Sequence, residues 1–470
     1  MPRQSELFDY EPLHPGRKSA EKLNPTGESE SDVTDSRFQN PDSFVEREAR
    51  IEAFQTNIPP RASQQRLWKL RGGHSLTFLG LFLFTFILYF RPYELSSSLV
   101  FLKTSAFWIA VLTLISFILT QSGSGEGLTI RPRELKLIFL ILLCGLLSIL
   151  PAIDRLVAWN SFVDYLKVVL MFTVIINAVR TERRLKALML LGIFAGLVSA
   201  VVAFRDYSSG NLVGGDQRIV GLLGNLFSNP NDLAIHLVTM VPLVFGFFLS
   251  SRGLIKRTIA VVFEILLLSG IVLTFSRGGF IGLVAMVSVL AWRLARKYRP
   301  LIFSAAMSMI LLLVIIGPSN YRTRLMSTGD DSAVARTGEL KRSLYLTLRH
   351  PLLGLGMNNF PLYSNTSHAT HNSYTQVASE MGLPAAAFYI MFLLAALKRL
   401  RLIQHQSRSD GTLSFWYRSV ALEASLLGFM VTSFFASVAY LWYVYYLIGY
   451  VICTHRLFDM ETARQAQCQK

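Results

Sequence analysis

The stretch Thr370-His371-Asn372-Ser373-Tyr374 places one titratable imidazole among hydroxyl and amide side chains. It comes after a long polar loop and directly before an apolar segment, so it lies at the mouth of a predicted membrane helix. A neutral imidazole can accept a proton near pH 7. We therefore predict that His371 is a proton acceptor that works at a membrane surface.

Two arginines lie in comparable places near the starts of apolar segments. Arg218 precedes Asn229-Pro230-Asn231-Asp232, which opens a predicted span, and Arg277 lies in Ser276-Arg277-Gly278-Gly279 between two spans. Placing an arginine at membrane depth costs free energy, so such a residue is by default a candidate for a functional role. Guanidinium groups bind phosphate oxygens through two hydrogen bonds, and glycines let a large anion approach a helix N-terminus. This pattern predicts a diphosphate site at the lipid surface.

Each of these residues also has a structural interpretation. Arg277 could be an interfacial anchor whose side chain extends towards water. Arg218 could pair with Asp216 or Asp232, and His371 could bond to a loop carbonyl. We favour the functional interpretation because these basic residues gather on one predicted face of the membrane.

Membrane helices must position these residues. The 470-residue chain is 52% hydrophobic and 16% charged, with a mean hydropathy of +0.41. An apolar run of about 17 to 25 residues crosses a bilayer, and backbone groups in lipid must bond internally, so such runs are helices. The predicted fold is an all-α, polytopic membrane bundle of about twelve helices. The predicted spans are 74–90, 98–120, 135–151, 161–179, 185–204, 232–250, 257–275, 278–295, 301–317, 374–397, 416–436 and 438–455.

Composition divides the chain into three parts. Residues 1–73 are polar and predict a disordered cytoplasmic tail, 74–456 form the transmembrane domain, and 457–470 form a second cytoplasmic tail. Two outer loops, 205–231 and 318–373, are long enough to build a site. Five inner loops hold 19 Lys and Arg residues. The positive-inside rule therefore predicts that both termini are cytoplasmic and that the site faces the opposite side of the membrane.

The second outer loop contains Arg336 and then an amphipathic stretch that ends at Arg349. Leu340, Leu344 and Leu348 share one face of this stretch, which predicts a helix lying on the membrane surface.

Several kinds of chemistry have no support in the sequence. It contains no Walker loop, no dinucleotide fingerprint and no spaced pair of outer aspartates, so we expect no cofactor and no metal. Cys144, Cys453 and Cys468 have no zinc-like spacing. The excess of basic residues belongs to membrane loops, and we expect no nucleic-acid partner.

Three motifs occur in order on the predicted outer face. They are Ser276-Arg277-Gly278-Gly279-Phe280-Ile281-Gly282-Leu283, then Pro351 to Phe360, and then His371-Asn372-Ser373-Tyr374 to Glu380-Met381-Gly382. Together they resemble the O-antigen ligase and polymerase superfamily, with the motifs covering about 215–395.

The resemblance implies a membrane glycosyltransferase of the C type (GT-C) that uses an undecaprenyl-diphosphate-linked glycan without a metal. It implies that Arg218 and Arg277 hold the diphosphate and that His371 activates the acceptor, while Arg336 matches a loop arginine found in the family. We add Asn229, Asn231, Asn372 and Tyr374 as predicted substrate-binding residues. Direct attack on the anomeric carbon predicts inversion.

The preferred interpretation is an O-antigen ligase of lipopolysaccharide biosynthesis in the bacterial inner membrane, which joins the glycan to lipid A-core at the periplasmic face. An O-antigen or exopolysaccharide polymerase, or a protein O-oligosaccharyltransferase, would share the donor and the chemistry. An anion transporter of the bicarbonate type is an alternative of another class. It would require ionisable residues at the bilayer midplane, where the chain offers chiefly Lys103, Lys167 and Glu264.

Overall fold

The computed structural model describes 73–95, 97–123, 132–209, 229–251, 253–294, 299–300, 303–304, 307, 331–364, 369–409 and 412–468, and all of these lie in one compact unit, 61–470. Within these ranges every regular element is a helix. Arg218, the residues of the predicted N-terminal tail up to 72, and most of the predicted span 301–317 lie outside the described residues.

The described ranges contain long helices joined by short connections. The long helices are α1 Ser75–Phe90, α2 Ser105–Gly123, α3 Arg133–Leu147, α4 Arg155–Ala178, α5 Glu182–Ser208, α6 Pro230–Ser250, α7 Leu254–Leu273, α8 Arg277–Arg293, α9 Asp331–Arg349, α10 Ser373–Ser409, α11 Leu413–Thr432 and α12 Trp442–Cys468. Short helical turns cover Pro92–Leu95, Ser97–Thr104, Phe360–Tyr363 and Ser433–Phe435.

The helices follow the predicted spans closely. Each predicted span apart from 301–317 overlaps one of the long helices. In the described part of the chain, 6 helices are long and apolar enough to cross a membrane. They are Ser98–Ser122, Arg155–Ala178, Glu182–Ser208, Pro230–Ser250, Ser373–Arg408 and Leu413–Phe435. The all-helical membrane fold is thus confirmed, whereas the count of about twelve spans and the periplasmic loop stay predictions.

Helix α11 lies at the centre of the bundle, where it packs against α6, α8, α10 and α12. Its Leu422, Leu426 and Phe429 are fully buried. Helix α2 instead lies at the periphery and exposes apolar side chains such as Leu112 and Leu119. In water such exposure would be unfavourable, but an outward apolar surface matches a lipid environment.

The two ends of the bundle differ in chemistry. We call the end where α6, α8 and α10 begin the site end. Towards the opposite end, arginines pair with carboxylates. Arg293 and Arg399 each make two-pronged contacts, with Glu423 and Glu134 respectively, at N–O distances of 2.8–2.9 Å. Because both glutamates are 1% exposed in their side chains, these pairs tie helices together inside the bundle.

Candidate functional site

Helices α6 and α8 begin side by side at the site end. Asn229 caps α6, because its Oδ1 accepts a hydrogen bond from the Asn231 amide at 2.9 Å. Ser276 caps α8 by accepting from the Gly279 amide at 3.2 Å, and its hydroxyl also donates to Asn231 Oδ1 at 2.7 Å. This hydroxyl therefore links the two helix starts, and Arg277 follows it as the half-buried first residue of α8.

This pair of helix starts has the electrostatics of an anion site. The unpaired amides at a helix N-terminus carry roughly half a positive charge. The Ser276–Asn231 hydrogen bond holds two such termini together, and Arg277 is the first residue of one of them, so their positive charges lie near one place. The diphosphate site predicted from the two arginines and the glycines after Arg277 stays a prediction, and positive charge at these helix starts is compatible with it.

His371 directly precedes the third helix start, that of α10, and is held from both sides. Its backbone is left-handed, with φ 51°, which is uncommon for a residue other than glycine. On one side, Thr370 Oγ1 donates to the Asn372 carbonyl at 3.0 Å and lies 2.9 Å from Ser437 Oγ. On the other side, Asn372 Oδ1 caps α10 by accepting from the amides of Tyr374 and Thr375. These hydrogen bonds restrain the backbone that carries the half-buried imidazole.

The segment 433–441, which we call the α11–α12 linker, contacts both motif-bearing helix starts. Ser373 Oγ donates to the Ala436 carbonyl at 2.7 Å and accepts from the Val438 amide at 3.0 Å. On the other side, a Cβ added to Gly278 would lie 2.8 Å from the Cβ of Phe435. The α11–α12 linker therefore brings the start of α8, with Arg277, and the start of α10, with His371, to one short stretch of chain.

The middle motif, 351–360, docks on a break in α10. Gly382 has φ 87° and ψ 169°, and Pro384 has no amide hydrogen, so the carbonyls of Ser379 and Glu380 lose their helical partners. The amides of Leu355 and Gly356 take their places, each at 2.9 Å, while the Leu383 amide donates to the Pro351 carbonyl at 2.7 Å. Three backbone hydrogen bonds thus fasten this motif to α10.

The buried side chain of Glu380 also holds the middle motif against α10. Its carboxylate, 2% exposed, accepts from the Tyr440 hydroxyl at 2.9 Å and from the backbone amides of Asn358 and Phe360. Asn359 then joins this motif to the start of α4 through two hydrogen bonds with the backbone of Asp154. Glu380 therefore positions the middle motif.

Asn372 and Tyr374, both predicted to bind substrate, have different surroundings. The Asn372 side chain uses its oxygen for the cap, but its buried Nδ2 has no hydrogen-bond partner among the residues that the structure describes. An unpaired buried donor is costly and marks a position for a ligand oxygen or a water. The Tyr374 hydroxyl already donates to the Met430 carbonyl at 2.8 Å, and its ring packs on Tyr389. Its described contacts fix the α10 start.

The remaining predicted residues are less closely tied to this centre. Arg336 lies half-buried on α9, which packs against α10. Two leucines of the predicted apolar face of α9, Leu344 and Leu348, are exposed, whereas the polar residues Ser343 and Thr347 are buried. No group of three or more His, Cys, Asp or Glu side chains in the described ranges could hold a metal ion.

Comparison with known families confirms the resemblance drawn from the motifs. The family model described as O-antigen ligase matches residues 262–390, the stretch that carries all three motifs. No curated protein matches the chain. Together with the apolar helices, this match supports a multi-pass membrane protein that is similar to O-antigen ligases over residues 262–390.

Proposed function

We propose that this member of the O-antigen ligase and polymerase superfamily transfers a glycan from undecaprenyl diphosphate to an acceptor hydroxyl at the periplasmic face. The favoured acceptor is lipid A-core, which would make the protein an O-antigen ligase. The observation that carries the proposal is the contact of the α11–α12 linker with two helix starts. It joins the motif that contains Arg277 to the motif that contains His371.

In the proposed reaction, an acceptor oxygen attacks the anomeric carbon while the bond from that carbon to the phosphate oxygen breaks. His371 takes the proton of the attacking hydroxyl. The lipid diphosphate leaves with the electron pair, and Arg277 together with the starts of α6 and α8 stabilises the negative charge that builds on it. Because attack and departure occur in one step on opposite faces, the configuration inverts, and the charge stabilisation comes from the chain itself without a metal.

Two further assignments complete the proposed site. Asn372 Nδ2, the buried donor described above, would donate to a substrate oxygen beside His371. Arg218 and Arg336 retain the roles that the family resemblance implies, as a second diphosphate ligand and a loop arginine. Asn229 and Asn231 shape the α6 start next to the diphosphate.

The test is genetic complementation in the bacterium that carries the gene. We expect His371→Ala and Arg277→Ala to lower glycan transfer by about 100-fold or more, because each removes a group that acts on the reacting atoms. Arg155→Ala is the matched control, since Arg155 is exposed at the start of α4 and at the same end of the bundle. Membrane levels of each variant are measured by immunoblot.

A silver-stained gel of the cell's glycans separates the acceptors. Loss of long chains from lipopolysaccharide, with polymerised lipid-linked glycan accumulating, supports a ligase. Products that carry a single repeat would indicate a polymerase, and loss of glycan from proteins would indicate an O-oligosaccharyltransferase. Normal transfer by both variants at normal membrane levels would contradict the proposed catalytic roles. An unchanged pattern of lipopolysaccharide in cells that lack the gene would instead favour protein glycosylation, another exported polysaccharide or the anion transporter.

A further inference from the structure

Asp232 is a carboxyl at the site end to which the proposed reaction gives no role. It is the third residue of α6 and follows Asn231, whose side chain accepts from Ser276 at the start of α8. The side chain of Asp232 is half-buried, and among the described residues it has no hydrogen bond and no ion pair. The buried carboxylates of Glu380 and Glu423, by contrast, each accept from two or more donors. The oxygens of Asp232 are therefore available to accept from a ligand.

The Asp232 carboxyl lies on the face of α6 that meets α1 and α12. Residues four apart share one face of a helix, so Asp232 lies one turn before His236 on that face. The centre of the His236 ring lies 5.5 Å from that of Tyr89 on α1 and 5.9 Å from that of Tyr443 on α12. The charge of Asp232 also acts on the Tyr443 hydroxyl. Because Tyr443 directly follows the end of the α11–α12 linker by two residues, Asp232 borders the stretch of chain that joins the two motif-bearing helix starts.

The negative charge of Asp232 determines which part of a substrate it can contact. An ionised carboxylate only accepts hydrogen bonds, so it repels a phosphate group but binds a hydroxyl through a charge-assisted hydrogen bond. Under the proposed function the donor carries both groups, because its first sugar is joined directly to the diphosphate. When the diphosphate lies at the starts of α6 and α8, this sugar is the hydroxyl-bearing group next to them.

A purely structural role for Asp232 makes a different prediction. Negative charge in the first turn of a helix stabilises that helix to a small extent. The side chain that caps α6 is already supplied by Asn229, whose Oδ1 accepts from the Asn231 amide. A structural role would thus change stability alone, whereas a contact with substrate changes how well the protein distinguishes one substrate from another.

We propose that Asp232 is a specificity residue that accepts a hydrogen bond from a hydroxyl of the first sugar of the lipid-linked donor. This proposal rests on the proposed function, since it takes the diphosphate of the donor to lie at the starts of α6 and α8. Asp232 lies outside the stretch 262–390 that matches the family model. It selects the sugar that is joined to the diphosphate, because a site that binds a hydroxyl rejects analogues that lack it.

The test compares donors that differ in one hydroxyl group. Membranes that contain the full-length protein receive the natural lipid-linked donor or synthetic donors in which one hydroxyl of the first sugar is replaced by hydrogen, and kcat/KM is measured for each. We expect the unmodified protein to use one deoxy donor at least about tenfold less efficiently. Asp232→Ala should reduce this difference to within about twofold, whereas Asp232→Asn, which keeps a neutral acceptor, should retain part of it. Asp164→Asn is the control, since Asp164 is exposed and paired with Lys167.

The possible results separate this proposal from the proposed function. Equal discrimination by the unmodified protein and by Asp232→Ala, with transfer intact, would overturn the contact with the sugar and leave the proposed function unaffected. Absence of transfer by the unmodified protein would overturn both. If Asp232→Ala does not reach the membrane, Asp232→Asn carries the comparison, and discrimination equal to that of the unmodified protein would again overturn the contact.

Two further measurements distinguish other ligands of the carboxylate. Loss of discrimination in Asp232→Ala against deoxy acceptors, with none lost against deoxy donors, would overturn the donor as the source of the hydroxyl. Inhibition of transfer by EDTA that Mg²⁺ reverses, seen in the unmodified protein and absent from Asp232→Ala, would assign the carboxylate to a cation and overturn the contact with the sugar.

Discussion

The hydroxyl of Thr370 offers a sharp test of how the backbone prepares His371. Thr370→Val keeps the shape of the side chain but removes the bonds at 3.0 Å to the Asn372 carbonyl and at 2.9 Å to Ser437 Oγ. Each bond contributes about 1 kcal/mol, whereas the left-handed conformation of His371 costs about 1–2 kcal/mol. If the variant loses about 1.4–2 kcal/mol of the free energy that holds His371 in its reactive position, kcat/KM should fall roughly ten- to thirty-fold.

The assay is the initial rate of glycan transfer from the lipid-linked donor in purified membranes. Thr370→Ser, which keeps the hydroxyl, should retain most of the activity. Thr173→Val is the folding control, because in the described part of the chain the buried Thr173 hydroxyl bonds only to the Val169 carbonyl of its own helix. If Thr370→Val stayed within twofold of the unmodified enzyme, or if Thr370→Ser lost as much activity, the proposed restraint on His371 would be refuted.

Two predictions concern stability, measured as unfolding in detergent. Gly382→Ala should destabilise the protein by about 3–5 kcal/mol, because a Cβ there would clash with the Leu352 carbonyl oxygen and would disturb three backbone hydrogen bonds. An unchanged unfolding midpoint would contradict the docked arrangement of 351–360. Glu423→Ala should cost about 3–5 kcal/mol, since it leaves Arg293 without its buried partner. Asp164→Ala, which removes the exposed pair with Lys167, is its control and should leave the midpoint unchanged.

The sequence was most informative where structure depends on local composition. Apolar runs located the helices because crossing a bilayer depends on length and hydrophobicity within one segment. Asn229 and Ser276 could be recognised near helix starts for a similar reason, since capping depends on a residue and its next few neighbours. The match to 262–390 confirmed the resemblance that the motifs indicated.

Features that depend on distant contacts were not predicted. Ser437 and Tyr440 support the His371 motif, but nothing in their own neighbourhood in the sequence indicates those partners. The break in α10 did have a local signal, because Gly382 and Pro384 interrupt the span predicted at 374–397. Helix α12 continues to Cys468, well beyond the span predicted to end at 455, because a helix can extend past the apolar stretch that a membrane criterion detects.

Within the predicted second outer loop, the segment 351–360 is the part that docks on α10. This segment is attached through backbone groups, and these are present whatever side chains the loop carries. Side chains within 351–360 can therefore change while this backbone attachment, and with it the register of the chain leading to His371, is preserved. Under the proposed function, the surface beside the site can then vary in sequence while His371 keeps its place.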